Sequence, residues 1–208
     1  MGRWEDNAVG RLQEAALELY SAPGYDKVTV AEISEHAGLT RRTFFRYFSD
    51  KREVLFFGAE NLEAFVAEGV LEAPPGTPAL EVVATALAAV TRRSDEDPAF
   101  ADFARRRHAL IRTYAELRER ELGKLAALAA AAAAALQRRG VADPAASLAA
   151  EAGVAAFKVG FERWIDDPRR RRLGHHVHEA MRGLGALALE QVATRSNQKP
   201  GPTPRGRR

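Results

Sequence analysis

The sequence predicts an all-α protein, a three-helix head containing a helix-turn-helix joined to a larger helical body, with about nine helices in all. Three observations predict it. Apolar residues recur at three- and four-residue spacing along most of the chain, and no convincing alternating stretch of strand length interrupts them. Capping and stop residues punctuate that pattern at helix-length intervals. The third observation is local: "TRRTFFRYF", Thr40 to Phe48, packs three arginines and four aromatic rings into nine residues. Rings belong in a core and arginines in water, so this stretch has to serve two surfaces.

Taken in order, Val9, Leu12, Ala16 and Leu19 recur at helical spacing, and Pro23-Gly24 closes that first helix. "TVAE" follows, in which Thr29 can cap the next helix while Glu32 reaches back to the cap amide. This second helix, about 30–37, ends at Gly38, a residue able to make a left-handed turn. Thr40 then caps the third helix, and Ser49-Asp50 starts a long fourth helix expected over 51–72. Two short helices separated by a tight glycine turn form a helix-turn-helix. The Pro-rich "APPGTP" at 73–78 makes the next break. Helix five carries Leu80, Val83, Leu87 and Val90 on one stripe and ends at "SDEDP", 94–98. Phe100 and Phe103 sit on a short sixth helix, and a long seventh, about 109–139, holds an alanine tract and stops at Gly140. Helix eight, about 144–165, has a bulky stripe of Val154, Phe157, Phe161 and Trp164 and a flatter one of Leu148, Ala152, Ala155 and Val159. Helix nine, about 172–194, repeats Val177, Met181, Leu184 and Ala188. The Pro-, Gly- and Arg-rich residues 196–208 are expected to be a disordered basic tail. The chain thus divides into a head, 1–50, a body, 51–195, and that tail.

Composition limits the function. The 208 residues are 46% hydrophobic and 28% charged, a globular profile, and cysteine is absent, which removes disulfide and thiolate chemistry and fits a reducing cytoplasm. The longest apolar run, Leu125 to Leu136, is far shorter than the roughly 20 residues that span a bilayer. A soluble cytoplasmic protein with no membrane partner is expected. Charge is more informative by position than in total. Residues 1–40 hold three cations against seven carboxylates, a net of −4, whereas residues 41–52 hold five against one, a net of +4. A positive focus on an otherwise acidic head points to a polyanion docked at one edge.

At 100° per residue, Phe44 and Phe48 share one face of the third helix and turn into the small core with Leu12, Leu19, Ile33 and Ala37. Arg41, Arg42, Phe45 and Arg46 form an arc on the other side. Guanidiniums beside an exposed ring suit a DNA major groove, where arginine pairs with guanine O6/N7 and an apolar edge meets a thymine methyl. Tyr47 and Lys51 are placed for phosphate oxygens.

Gly24-Tyr25, Thr29-Val30, Ile33, Ala37-Gly38-Leu39-Thr40, Thr43-Phe44-Phe45, Tyr47-Phe48, Lys51 and Leu55 together resemble the DNA-binding head of the TetR family of bacterial transcriptional regulators, over about residues 8–56. Ser34 departs from the alanine common in that family and Tyr47 from a frequent histidine. The resemblance implies a homodimer whose heads read a pseudo-palindromic double-stranded DNA operator and whose bodies bind a small-molecule effector, most simply as a ligand-released repressor. The expected DNA-contacting residues are Thr29, Thr40, Arg41, Arg42, Thr43, Phe45, Arg46, Tyr47 and Lys51. Phe65, Phe100, Phe103, His108, Tyr114, Phe157, Phe161 and Trp164 are candidates to line a pocket for an apolar or aromatic effector. The dimer interface is expected on helices eight and nine, through Leu148, Ala152, Ala155, Val159, Val177, Met181, Leu184 and Ala188. Effector binding would act by moving the fourth helix, 51–72.

Other readings are weaker. His175, His178 and Glu179 share a helical face, but without a thiolate a polar face or a pH-sensitive interface is expected there rather than a metal site. "RRRR" at 169–172 reads as solvated charge. A nonspecific DNA-architecture protein would use the same basic face for phosphates alone. A helical enzyme or carrier is disfavoured by the lack of a nucleophile–base pair, a phosphate loop or a strong metal motif, so neither catalysis nor a cofactor is expected.

Overall fold

The computed structural model of the protein describes residues 2–96 and 98–197, with side chains at 2–7, 93, 94, 96, 98 and 188–197 outside that description. Among the described residues there are nine α-helices and no strand. The head comprises α1 (Gly2–Leu19), α2 (Val30–His36) and α3 (Arg41–Tyr47). The body comprises α4 (Ala59–Glu72), α5 (Ala79–Glu96), α6 (Pro98–Thr113), α7 (Ala115–Arg138), α8 (Ala145–Ile165) and α9 (Leu173–Asn197). The expected tail lies mostly at 198–208, outside the described residues.

Local chemistry sets the head. The Glu32 amide donates to Thr29 Oγ1 at 3.3 Å while the Thr29 amide donates to the Glu32 carboxylate at 2.7 Å, a complete capping box. Those bonds to Thr29 hold the Glu32 carboxyl below its ordinary range. α2 stops where Gly38 takes φ +62°. The left-handed turn favours glycine, and a Cβ there would also lie 2.6 Å from the flexible end of Arg11, which bridges the Ala37 and Gly38 carbonyls and would have to move aside.

Two helix boundaries differ from the periodic pattern. The expected 51–72 helix is broken: Asp50 Oδ1 accepts from the Arg52 and Glu53 amides and caps only a 3-10 turn, Glu53–Phe56. Gly58, at φ +85°, then sets α4 off afresh at Ala59. The expected 109–139 helix is also two elements, because Tyr114 adopts an extended conformation (φ −105°, ψ 126°) between α6 and α7. Apolar periodicity runs through both breaks, which explains why it concealed them.

α7 leads away from the head to Arg139, whose guanidinium donates to the carbonyls of Leu71, Ala73 and Pro74 at the distal end of α4. α8 returns antiparallel. Val66, Val70, Val83, Leu87, Leu128 and Leu136 pack with the small residues Ala132 and Ala150 into the main body core. α8 and α9 approach backbone to backbone, since a Cβ at Gly160 would lie 2.6 Å from the Val177 Cα. Val177 is accordingly fully buried within one chain, so its assignment to an intersubunit surface is corrected. The turn into α9 is tied to α5 by the Asp95 carboxylate, which accepts from the Leu173 amide at 2.7 Å.

Candidate DNA-reading face and its joint to the body

The two short helices hold α3 against the head. Thr40 Oγ1 accepts from the Thr43 amide at 3.1 Å, and the buried rings of Phe44 and Phe48 anchor the helix on Leu12, Ile33 and Ala37. Arg41, Arg42 and Arg46 are left exposed, and Phe45 keeps 51% of its surface in solvent. Thr40, Arg42, Thr43, Phe45 and Arg46 line one shallow concavity. The division of rings is therefore the one the helical wheel implies: two inward, one outward among the guanidiniums. Arg46 stacks 4.7 Å over the half-buried Tyr47 ring and donates to its phenol oxygen. Thr29 sits exposed at the N-terminus of α2 with its hydroxyl engaged by Glu32.

Lys51 departs from its expected role. Its ammonium donates to the Tyr25 carbonyl at 2.8 Å and the Val28 carbonyl at 3.1 Å, and lies 4.2 Å over the Tyr25 ring. It ties the turn after α3 to the loop before α2. That is a structural duty inside the head rather than a free phosphate contact. The Tyr20 phenol donates to the Lys51 carbonyl from a fully buried position, and burial pushes that phenol well above its ordinary range.

The joint between head and body is charged, half-buried and not foreseen. Arg107 on α6 donates from Nε to the Leu55 carbonyl at 2.6 Å, ion-pairs with Glu121 on α7 and lies 4.6 Å over the Phe56 ring. Lys124 holds the other Glu121 oxygen at 2.7 Å. Burial alone would raise the Glu121 carboxyl, but Arg107 and then Lys124 outweigh it and hold it at about 2. Arg120 grips Glu53 through two bonds of 2.7 and 2.9 Å, and Arg106 reaches Glu14 of α1 at 2.6 Å. Leu110, Ile111 and Leu117 complete the contact by entering the head core.

The proposed pocket residues divide three ways. Tyr114 packs on Tyr25 at 5.5 Å between ring centres, and Phe103 also lies against the head core, so both belong to the joint. Phe65 is 46% exposed on α4. Phe100, Phe157, Phe161 and Trp164 cluster with Leu173 and Val177 between α6, α8 and α9. His108 meets Phe161 at 5.7 Å, and burial lowers its imidazole below the ordinary histidine value.

On the outer side of α8, Leu148 (66%), Ala155 and Val159 are exposed and Ala152 is half-buried. On α9, Met181 and Leu184 are half-buried, while Ala188 lies outside the described side chains. Leu187 on α9 is also exposed. His175 faces Arg171 and Glu179, and His178 is exposed. The buried histidine is instead His176, bonded to the Asp167 carboxylate at 3.0 Å, also unforeseen. Among the described residues no cluster of His, Cys, Asp and Glu is placed to hold a metal, and no helix is long and apolar enough to cross a membrane.

A capped recognition helix standing proud of a three-helix head, on a separate helical body, defines a helix-turn-helix DNA-binding protein. The chain belongs to the TetR family of bacterial regulatory proteins: that family's N-terminal domain matches residues 12–56, and the MftR C-terminal domain matches residues 77–188. The transcriptional regulator TcmR of Streptomyces glaucescens is 40% identical over 85 residues, covering 40% of this chain and 37% of that protein. The transcriptional repressor KstR of Rhodococcus jostii is 29% identical over 116 residues, covering 55% and 54%. The chain thus spans between a third and about half of these relatives. Among solved structures, Thermus thermophilus FadR, a repressor in complex with lauroyl-CoA, shares the fold with a TM-score of 0.53 at 23% identity, over 95% of this chain and all of that one. A SmeT–triclosan complex does so with a TM-score of 0.58 at 16% identity, over 86% and 90%.

Proposed function

We propose that this protein is a dimeric transcriptional repressor that reads a pseudo-palindromic operator through α3 and is released by a small apolar or aromatic molecule. The observation that carries the reading is the exposed arc of Arg41, Arg42, Phe45 and Arg46 on a helix whose other face is locked by Phe44 and Phe48. Rigid backing and exposed guanidiniums are what base readout needs. A single seven-residue helix reads few bases, so two heads about one helical turn apart, roughly 34–36 Å or a multiple, supply specificity. The outward apolar face of α8, with Leu148 and Val159, suits the dimer contact.

The aromatic cluster of Phe157, Phe161 and Trp164 beside His108 is the best supported effector site. Lauroyl-CoA and triclosan on the two structural relatives both present apolar bulk, in keeping with that chemistry. α6 runs from this cluster to the joint, so an effector that shifts α6 reaches the Glu53–Phe56 turn through Arg107, without a continuous fourth helix. Such release requires tighter effector binding in the absence of operator. A protein that reads operator DNA in a bacterium works in the cytoplasm. The test is selection from a pool of random-sequence duplexes. Enrichment of an inverted repeat with half-sites one or two helical turns apart is expected, and a pool that stays random contradicts the reading.

A further inference from the structure

The turn between α8 and α9 carries Arg169, Arg170, Arg171 and Arg172 in succession. It is built, not loose. The Asp167 carboxylate is nearly buried and accepts from the Arg169 amide at 3.0 Å, the Arg171 amide at 3.0 Å, Arg171 Nε at 2.9 Å and His176 at 3.0 Å. This knot holds Arg171 back. Arg169, Arg170 and Arg172 are exposed and have no carboxylate partner among the described residues. Arg170 stands at φ +49°, a left-handed conformation that favours glycine or asparagine. An arginine kept in a left-handed position, next to others whose side chains have no carboxylate partner among the described residues, is better explained by what its charge meets than by the turn itself.

Topology says where that charge points. Trp164, in the last turn of α8, lies 4.8 Å under the Arg105 guanidinium of α6. The next residue on α6, Arg106, bonds Glu14 of α1, and Leu110 and Ile111 enter the head core. The far end of the body is marked by Arg139 on the carbonyls after α4. The arginine turn therefore leaves the body at the end that meets the head. Residues 163–172 hold five arginines, and Asp166 is the exposed carboxylate among them.

We propose that Arg169, Arg170 and Arg172 form a second, body-borne DNA contact that meets backbone phosphates beside those held by the heads. This rests on the regulator reading above. The contact carries no sequence information; it adds affinity and salt dependence, and it strengthens as the cations come within the roughly 8 Å Debye length of the duplex at physiological salt.

The test is fluorescence anisotropy on a mixed-sequence duplex of roughly four helical turns, over a salt series, with wild type, R169A/R170A/R172A and R170G. All three positions are exposed, and R170G also relieves the left-handed strain, so at least one variant stays as stable as wild type by chemical unfolding. The slope of log K against log salt is expected to shrink by about 2 or more per dimer in the triple variant, from at least one phosphate per subunit, and by a smaller step in R170G. A wild type that binds the duplex with a slope the triple variant leaves unchanged overturns this inference alone. A wild type that does not bind this duplex even at low salt overturns this contact, whereas the regulator reading is overturned only if the selection from random-sequence duplexes also enriches nothing.

Discussion

Replacing Arg107 by methionine removes one guanidinium from the joint and keeps much of the apolar stem. In the native protein that group satisfies the Leu55 carbonyl, pairs with Glu121 and covers the Phe56 ring, with 11% of its side chain exposed. Breaking a buried ion pair by removing one partner costs about 3–5 kcal/mol. Lys124 remains on Glu121 at 2.7 Å and Arg120 remains 5.0 Å over Phe56, so the lower end, about 3 kcal/mol, applies. For a chain of this length that corresponds to a fall in Tm of roughly 10 °C. Denaturant and thermal unfolding followed by circular dichroism measure it. The pH dependence makes the test specific. The Glu121 carboxyl is held at about 2, below its unfolded value, so its contribution is complete above about pH 4.5 and is lost as pH falls toward 2. Wild type should lose about 3 kcal/mol more than E121Q across that window. R107M/E121Q should be more stable than the two single losses added together, because neither partner is then left buried alone. A loss below about 1 kcal/mol in R107M, or simple additivity, would refute the joint as described.

Further substitutions separate the roles assigned above. Lys51→Ala should cost about 2 kcal/mol of stability, because two carbonyls and the Tyr25 ring lose their cation; normal unfolding with uniformly weakened DNA binding would return Lys51 to the phosphates. Gly38→Ala should cost about 1–2 kcal/mol through the left-handed φ and displace the Arg11 clamp, with an unchanged melting curve as the contrary result. Leu148→Glu places a charge on the outward α8 face and should weaken dimerisation about a hundredfold or more by sedimentation; an intact dimer would move the interface elsewhere.

What was legible in the sequence follows from the range of the interactions. The Thr29–Glu32 box, the Gly38 turn, the Thr40 cap and the inward pair Phe44 and Phe48 are set within a few residues, so spacing alone reveals them. The break at Gly58 had a local signal in the glycine itself, overlooked because apolar residues keep helical spacing across it. Lys51 could not be read this way. Its acceptors lie 26 and 23 residues earlier, and an exposed cation and a carbonyl-bound one look alike in a string of letters. Arg107 and Arg120 are the same case at greater separation, 52 and 67 residues from Leu55 and Glu53. Tyr114 was grouped with ligand-lining rings because an aromatic residue announces burial but not its partner, which proved to be Tyr25. Val177 misled for a related reason: the backbone contact at Gly160 draws α9 inward, and periodicity does not tell an inner stripe from an outer one.

The central claim is that α3 reads bases, not merely phosphates. Anisotropy binding to the DNA flanking the protein's own gene, against scrambled DNA of equal length at rising salt, tests it with wild type and Arg42→Ala in parallel. A preference of about a thousandfold or more that survives moderate salt is expected in wild type, shrinking in Arg42→Ala by about 1–3 kcal/mol. Equal affinity of wild type for both duplexes, vanishing together as salt rises, would contradict it.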